Sequence, residues 1–215
     1  MQSNRHALAL AVMLMPALLW AQNLPTPASR QPSVCTSPRA GDTAPTQMPR
    51  VPNIEGLGAF VQCWYTEQLA AMGEPALFAH GAAGSDTIVR FTWLRTFHPG
   101  IAVRVTREAA GVSIAAVELD GAGGYAPGTV ARRTNRILSS AEWQGVLRAA
   151  SAADVWRAPS RDSISGLDGA EWVVETRTSR GYHLVARWSP TGGPYRELGL
   201  ALLRLGGVLP SRDVY

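Results

Sequence analysis

The sequence contains no lysine, and all 20 basic residues among its 215 are arginine. This absence excludes three kinds of site that depend on a lysine amine: the Walker A phosphate loop, the pyridoxal Schiff base and the serine–lysine hydrolase. The formal net charge is only +4. The chain also lacks the basic runs interleaved with aromatic residues that are typical of nucleic-acid binding. We therefore expect no cofactor and no nucleic-acid partner.

Motifs for hydrolysis and phosphate binding are missing as well. The string nearest to the serine-hydrolase pattern G-x-S-x-G is Gly111–Ala115, which lacks the second glycine and lies in a predicted strand. The glycine-rich stretch Asp120–Gly124 lacks the strand–glycine–helix context of a phosphate cradle and is typical of a turn. Neither stretch indicates a catalytic residue.

Only two cysteines are present, Cys35 and Cys63. Two distant cysteines do not make a zinc site. In an oxidising compartment they would form a disulfide that ties the segment before the domain to its first helix, and the alternative is two free thiols. The sequence leaves both alternatives open.

The first 21 residues have the pattern of a secretory signal peptide. A short positive start at Arg5 precedes an apolar run over residues 7–20, and a small-residue cleavage pattern ends at Ala21. The run is shorter than the roughly 20 residues of a comfortable membrane span, so we expect no span after cleavage. Residues 22–52, rich in proline, serine and threonine, predict a flexible leader. The protein is thus expected to be periplasmic or secreted.

The remaining residues, 53–215, predict a single α+β domain. We expect an antiparallel sheet of five to six strands with three helices packed on one face. The spacing of apolar residues predicts a helix over 54–72, strands over 86–97, 101–107, 111–119 and 128–137, a helix that begins at a Ser139–Glu142 capping box, a hairpin over 167–190 and a final helix over 194–205.

The hairpin Leu167–Pro190 organises this predicted domain. Glycine at the last position favours a three-residue loop, Ser179-Arg180-Gly181. This loop pairs Trp172 with Trp188 on a core face and turns the charged residues to the opposite face. The charged face is either a solvated side of an antiparallel sheet or a binding surface formed by Glu171, Glu175, His183 and Arg187.

Three further residues are candidates for a binding site. Arg95 falls on the apolar side of its strand, so it needs a carboxylate or aromatic partner, or else reaches water from the strand end. His98 lies in the turn that follows, and Asp168 lies in the turn before the hairpin. A site joining His98, His183 and a carboxylate would instead define a metal-assisted enzyme.

The phrases FTWLRTFHPGIAVRV, LDGAEW, YHLVARWSP and PYRELGLALL together resemble a family of bacterial exported proteins. The resemblance covers residues 90–205 and implies a self-contained domain, but it implies no activity. Because hydrolase and cofactor motifs are missing, we favour a non-catalytic module that binds or inhibits a protein or a cell-envelope component. The alternative is a periplasmic enzyme such as a metal-assisted hydrolase.

Overall fold

A computed structural model describes residues 57–79, 86–124, 126–209 and 214–215. The predicted signal peptide, the predicted leader and Cys35 lie outside these residues. Within the described ranges, no helix has the length and apolar character needed to cross a membrane.

The described residues form an α+β domain with a six-stranded antiparallel sheet and three α-helices, as predicted. The strand order in the sheet is β4-β3-β2-β1-β5-β6. The helices are α1 (Ala59–Met72), α2 (Ser140–Ala152) and α3 (Gly193–Gly206). The strands are β1 (Thr87–Arg95), β2 (Ile101–Glu108), β3 (Gly111–Leu119), β4 (Val130–Ile137), β5 (Ala170–Thr178) and β6 (Gly181–Trp188).

Local sequence signals predicted several element ends correctly. The Ser139 side chain accepts a hydrogen bond from the Glu142 amide, and the Glu142 carboxylate accepts one from the Ser139 amide at 2.8 Å, which completes the capping box of α2. Gly207, at φ 70°, ends α3 in the left-handed conformation. Strand β4 is an exposed edge strand, and its three arginines suit that position.

The three helices do not share one face of the sheet, and this corrects the sequence prediction. Helices α2 and α3 cover one face, here the α2/α3 face, where Trp143 and Leu202 belong to the same buried core as Phe91. Helix α1 covers the opposite face, here the α1 face. Trp172 and Val173, neighbours in β5, belong to these two different cores. Consecutive apolar residues in a strand are what a sheet covered on both sides requires.

The β5–β6 hairpin has a two-residue turn, Ser179-Arg180, and not the predicted three-residue loop. In this register Trp172 lies opposite Arg187, and Trp188 lies opposite Glu171. A shift of one residue moves a whole strand's side chains to the other face. The two tryptophans therefore lie on opposite sides of the sheet, Trp172 on the α2/α3 face and Trp188 on the α1 face.

The prediction of a three-residue loop was wrong because it assumed one solvated face. Separating apolar from charged side chains selects a register only when one face is exposed to water. Here both faces are covered, and Glu171 and Glu175, predicted on an exposed charged surface, are fully buried under α1. The antiparallel architecture does not depend on this register and is unchanged.

Candidate functional site

Glu175 lies at the centre of a buried polar network between α1 and the sheet. Its carboxylate accepts hydrogen bonds from the hydroxyls of Tyr65 and Tyr182, the latter at 2.9 Å. It also accepts one from Arg90 Nε at 2.5 Å. Burial raises the pKa of both tyrosine hydroxyls, so each remains protonated and able to donate. Both carboxylate oxygens of Glu175 are thus satisfied within the protein.

Arg90 extends this network towards the segment that follows α1. Its Nη1 atom donates to the Pro75 carbonyl at 2.6 Å and lies 3.3 Å from Glu74 Oε2. Arg104 Nε binds the same Glu74 oxygen at 2.9 Å. Burying charges costs free energy that pairing and hydrogen bonds must offset. Because its members bind one another, the network joins α1 and the segment after it to the sheet.

Glu171 differs from Glu175 because its carboxylate is only half satisfied. Its Oε2 atom accepts a hydrogen bond from Arg161 Nη2 at 3.1 Å. Its Oε1 atom is buried and has no hydrogen-bond partner among the residues that the structure describes. Burial raises the pKa of this carboxyl, and the positive charge of Arg161 opposes that effect. An unpaired buried acceptor costs about 1–3 kcal/mol.

The Glu171 side chain lines a mostly apolar pocket of about 380 Å³ between α1 and the hairpin. Trp64, which also lines the pocket, has a second buried polar atom, Nε1, without a hydrogen-bond partner in the described part of the chain. We call this cavity the Trp64–Glu171 pocket. Besides those two residues it is lined by Phe60, Val61, Thr96, Gly124, Arg161, Ser165, Gly166, Leu167 and Trp188.

Arg95 lies on the α2/α3 face and is buried, so the alternative in which it reaches water is wrong. Its guanidinium carbon lies 4.6 Å from the centre of the Trp93 ring. Its Nη2 and Nε atoms donate to the Pro99 carbonyl at 2.6 and 3.0 Å, and Glu118 Oε1 lies 3.9 Å away. Burial lowers the pKa of Arg95. The partners of the Arg95 guanidinium are thus residues of the protein itself.

The two histidines of the metal-assisted alternative are far apart. His98 Nδ1 lies 2.6 Å from the Tyr215 hydroxyl at one end of the sheet. His183 lies opposite Thr176 in β5, and its Nε2 atom lies 2.9 Å from the Ala158 carbonyl. Thr176 is six residues along β5 from Ala170, which pairs with Arg95 at the end of the sheet where His98 lies. At about 3.3 Å per residue, the two histidine positions are separated by roughly 20 Å along the strands. Within the described ranges, no three His, Cys, Asp or Glu residues form a group that could hold a metal ion.

The last two candidates lie at the hairpin edge. Arg187 Nε lies 3.5 Å from Asp162, and its guanidinium lies 5.6 Å from the Tyr195 ring. Asp168 is exposed in the turn before β5. The seven predicted site residues therefore do not converge on one surface. Among them only Glu171 lines the Trp64–Glu171 pocket.

Trp64, Arg161 and Trp188 line the pocket but were not among the predicted site residues. Trp64 lies within the predicted first helix, and Trp188 was predicted on the wrong face. One signal was available: Val173 lies between Glu171 and Glu175 on the same side of β5. An apolar residue that shares one side of a strand with two carboxylates indicates that this side is covered and that the carboxylates are buried.

No family model matches this chain, and no curated protein matches it. The resemblance to bacterial exported proteins therefore stays a prediction. The described residues thus form an α+β domain with two cores and a mostly apolar pocket, and two of its lining residues each have a buried polar atom without a described partner.

The stability of a Glu171→Gln variant relative to the unmodified protein should increase as the pH rises. The pKa of Glu171 is raised from 4.5 by burial, so folding favours the protonated carboxyl. This advantage is complete below pH 4.5 and is lost as the pH rises through the folded-state pKa. Glutamine has a similar shape and stays neutral. Urea denaturation at about pH 4 and pH 7 measures the effect, with exposed Glu197→Gln as the baseline. A difference that does not change with pH would contradict the raised pKa.

Proposed function

We propose that this protein is an exported, non-catalytic binding module whose ligand site is the Trp64–Glu171 pocket. One observation carries the proposal: Glu171 and Trp64 both line this cavity, and each has a buried polar atom, Oε1 and Nε1, without a hydrogen-bond partner among the described residues. A ligand with complementary polar groups would remove the cost of leaving them unpaired. Apolar walls with a few orienting polar groups are the usual composition of a ligand pocket.

The rim of the pocket supports binding to a larger partner. Phe60 in α1 is 49% exposed, and Leu167 in the loop before β5 is 93% exposed. Both side chains line the pocket and present apolar surface beside its opening. Exposed apolar side chains grouped around a cavity are typical of a contact surface for a partner. A protein or cell-envelope component that places one apolar group in the pocket is consistent with this arrangement.

The proposal includes export, supported by the signal-peptide pattern of residues 1–21. It also includes the bridge between Cys35 and Cys63. Cys63 is buried in α1 next to Trp64, so this bridge would attach the leader beside the pocket. The mass of the secreted protein would show whether it begins after Ala21. Two reactive thiols in the non-reduced protein would contradict the bridge.

Filling the pocket provides the test of the binding function. Three probes that share a phenyl ring, phenylacetamide, phenylacetate and phenethylamine, are titrated into the ¹⁵N-labelled protein and followed by NMR. We expect at least one to bind saturably and to perturb residues that line the pocket. In a Ser165→Trp variant, a large ring replaces an exposed side chain of the lining, so the affinity should fall at least tenfold.

Ser163→Trp is the matched control, because Ser163 is exposed in the same loop but does not line the pocket. It should bind the probe as the unmodified protein does. Both substitutions are at exposed positions, where effects on stability are usually within about 0.5 kcal/mol. Failure of all three probes to bind, or equal binding by both variants, would overturn the proposed function.

A further inference from the structure

We infer that the Trp64–Glu171 pocket selects a neutral amide attached to an aromatic or branched apolar group, as an apolar residue within a peptide supplies. The inference rests on the proposed binding function and adds the chemical class of the ligand. Three features of the pocket carry it: the opposite hydrogen-bonding sense of Glu171 Oε1 and Trp64 Nε1, which have no partner in the described ranges, the balance of its charges and the nature of its walls.

The two unpartnered atoms need a ligand with both a donor and an acceptor. An ionised carboxylate only accepts hydrogen bonds, and an indole N–H only donates them. Glu171 Oε1 therefore requires an N–H or O–H group, and Trp64 Nε1 requires an oxygen or another acceptor. An amide carries both groups on neighbouring atoms. An ammonium group offers no acceptor, and a carboxylate offers no donor.

The charges around the pocket are already paired within the protein. Glu171 is paired with Arg161 at 3.1 Å, and Asp162 is paired with Arg187 at 3.5 Å. An anionic ligand would meet the buried Glu171 carboxylate, and a cationic one would compete with Arg161 for it. A charged ligand would also lose its hydration without an unpaired counter-ion to replace it. The balance of charge therefore favours a neutral ligand.

The walls and the volume of the pocket define the rest of the ligand. Phe60, Trp64 and Trp188 provide aromatic surface, and Val61 and Leu167 provide aliphatic surface. Rings and branched chains gain most from contact with such walls. A volume of about 380 Å³ is near the lower end of the roughly 300–1,000 Å³ that is typical of ligand pockets. The pocket therefore accommodates one residue-sized group.

The test compares the affinities of four probes that share one ring: phenylacetamide, methyl phenylacetate, phenylacetate and phenethylamine. We expect phenylacetamide to bind at least tenfold more tightly than each of the others, since only it supplies a donor and an acceptor without charge. The Trp64 indole N–H resonance, assigned with Trp64→Phe, should shift downfield on binding. If Trp64→Phe does not fold, the resonances of the pocket are identified with Ser165→Trp. Ser165 lines the pocket but is an exposed loop residue, so this substitution should leave the fold intact.

The outcomes separate this inference from the proposed function. Tightest binding by phenylacetate or phenethylamine, or equal binding of the amide and the ester, would overturn the inference and leave a binding pocket. Failure of every probe would overturn both. The tripeptide Ac-Ala-Phe-Ala-NH₂ tests whether a peptide supplies the amide. Binding at least as tight as that of phenylacetamide supports a peptide ligand. If phenylacetamide binds and the tripeptide does not, a peptide source is overturned.

Discussion

Arg90→Leu should lower the free energy of unfolding by about 3–5 kcal/mol, the usual cost of removing one member of a buried ion pair. Arg90 and Glu175 are both fully buried, and their side chains are joined at 2.5 Å. Leucine would leave the Glu175 carboxylate with its tyrosine donors but without a counter-ion. The same change removes a partner of Glu74 and the hydrogen bond to the Pro75 carbonyl. Urea denaturation measures the loss.

Arg157→Leu is the matched control for this experiment. Arg157 pairs with Asp154 at 3.2 Å, but 84% of its side chain is exposed to solvent. Pairs of this kind contribute at most about 1 kcal/mol. If Arg90→Leu and Arg157→Leu lowered the free energy of unfolding equally, the buried network could not be what holds α1 on the sheet.

Trp172→Ala should cost about 3–5 kcal/mol, which is typical of deleting a large buried aromatic side chain. Trp172 is fully buried, and its ring centre lies 5.1 Å from that of Phe91 and 5.4 Å from that of Trp93. Its indole N–H donates to the main-chain oxygen of Tyr215 at 2.9 Å. Urea denaturation, with circular dichroism as the readout, measures the change.

Trp188→Ala provides the comparison, because the hairpin register decides how the two tryptophans differ. Trp188 is only half-buried, at the wall of the Trp64–Glu171 pocket. Its replacement should cost about 1 kcal/mol, the central value for point substitutions, and should weaken binding of the pocket ligand. Equal losses from the two substitutions would contradict the observed register and support a three-residue loop.

Sequence reasoning predicted those parts of the fold that local chemistry determines. Helix α2 begins where a serine and a glutamate three residues later can cap each other, and this requires no knowledge of the rest of the chain. The strand over 128–137 was likewise predicted from its own residues, and β4 lies there. The sequence of helices and strands follows from such short-range signals, and so does the α+β class.

The hairpin register and the position of α1 depend on contacts that no short segment contains. Tyr65 and Glu175, which join α1 to β5, are separated by 110 positions. The chain from Trp172 to Val174 is apolar without alternation, so both faces of β5 accept a core. Only the knowledge that α1 covers the second face determines which side chains of β6 lie beneath it.

The candidate site was hidden for a related reason. Glu171 was named from the sequence, but as an exposed residue of a charged surface. Glu171 is a candidate because its Oε1 atom has no partner among the residues that the structure describes, and because it lines one pocket together with Trp64 and Arg161. A missing hydrogen bond is a property of the assembled structure, and no spacing of residues along the chain indicates it.

Strand β1 lies between β2 and β5 and has helices on either side, whereas β4 borders the sheet with nearly every side chain in solvent. Amide protons in β1 can therefore exchange with deuterated water only when the entire domain opens, while those of β4 need just local fraying. Strand β5, which pairs with β1 and contributes Glu171 to the pocket, should likewise exchange slowly, so the position of Glu171 is fixed before a ligand arrives.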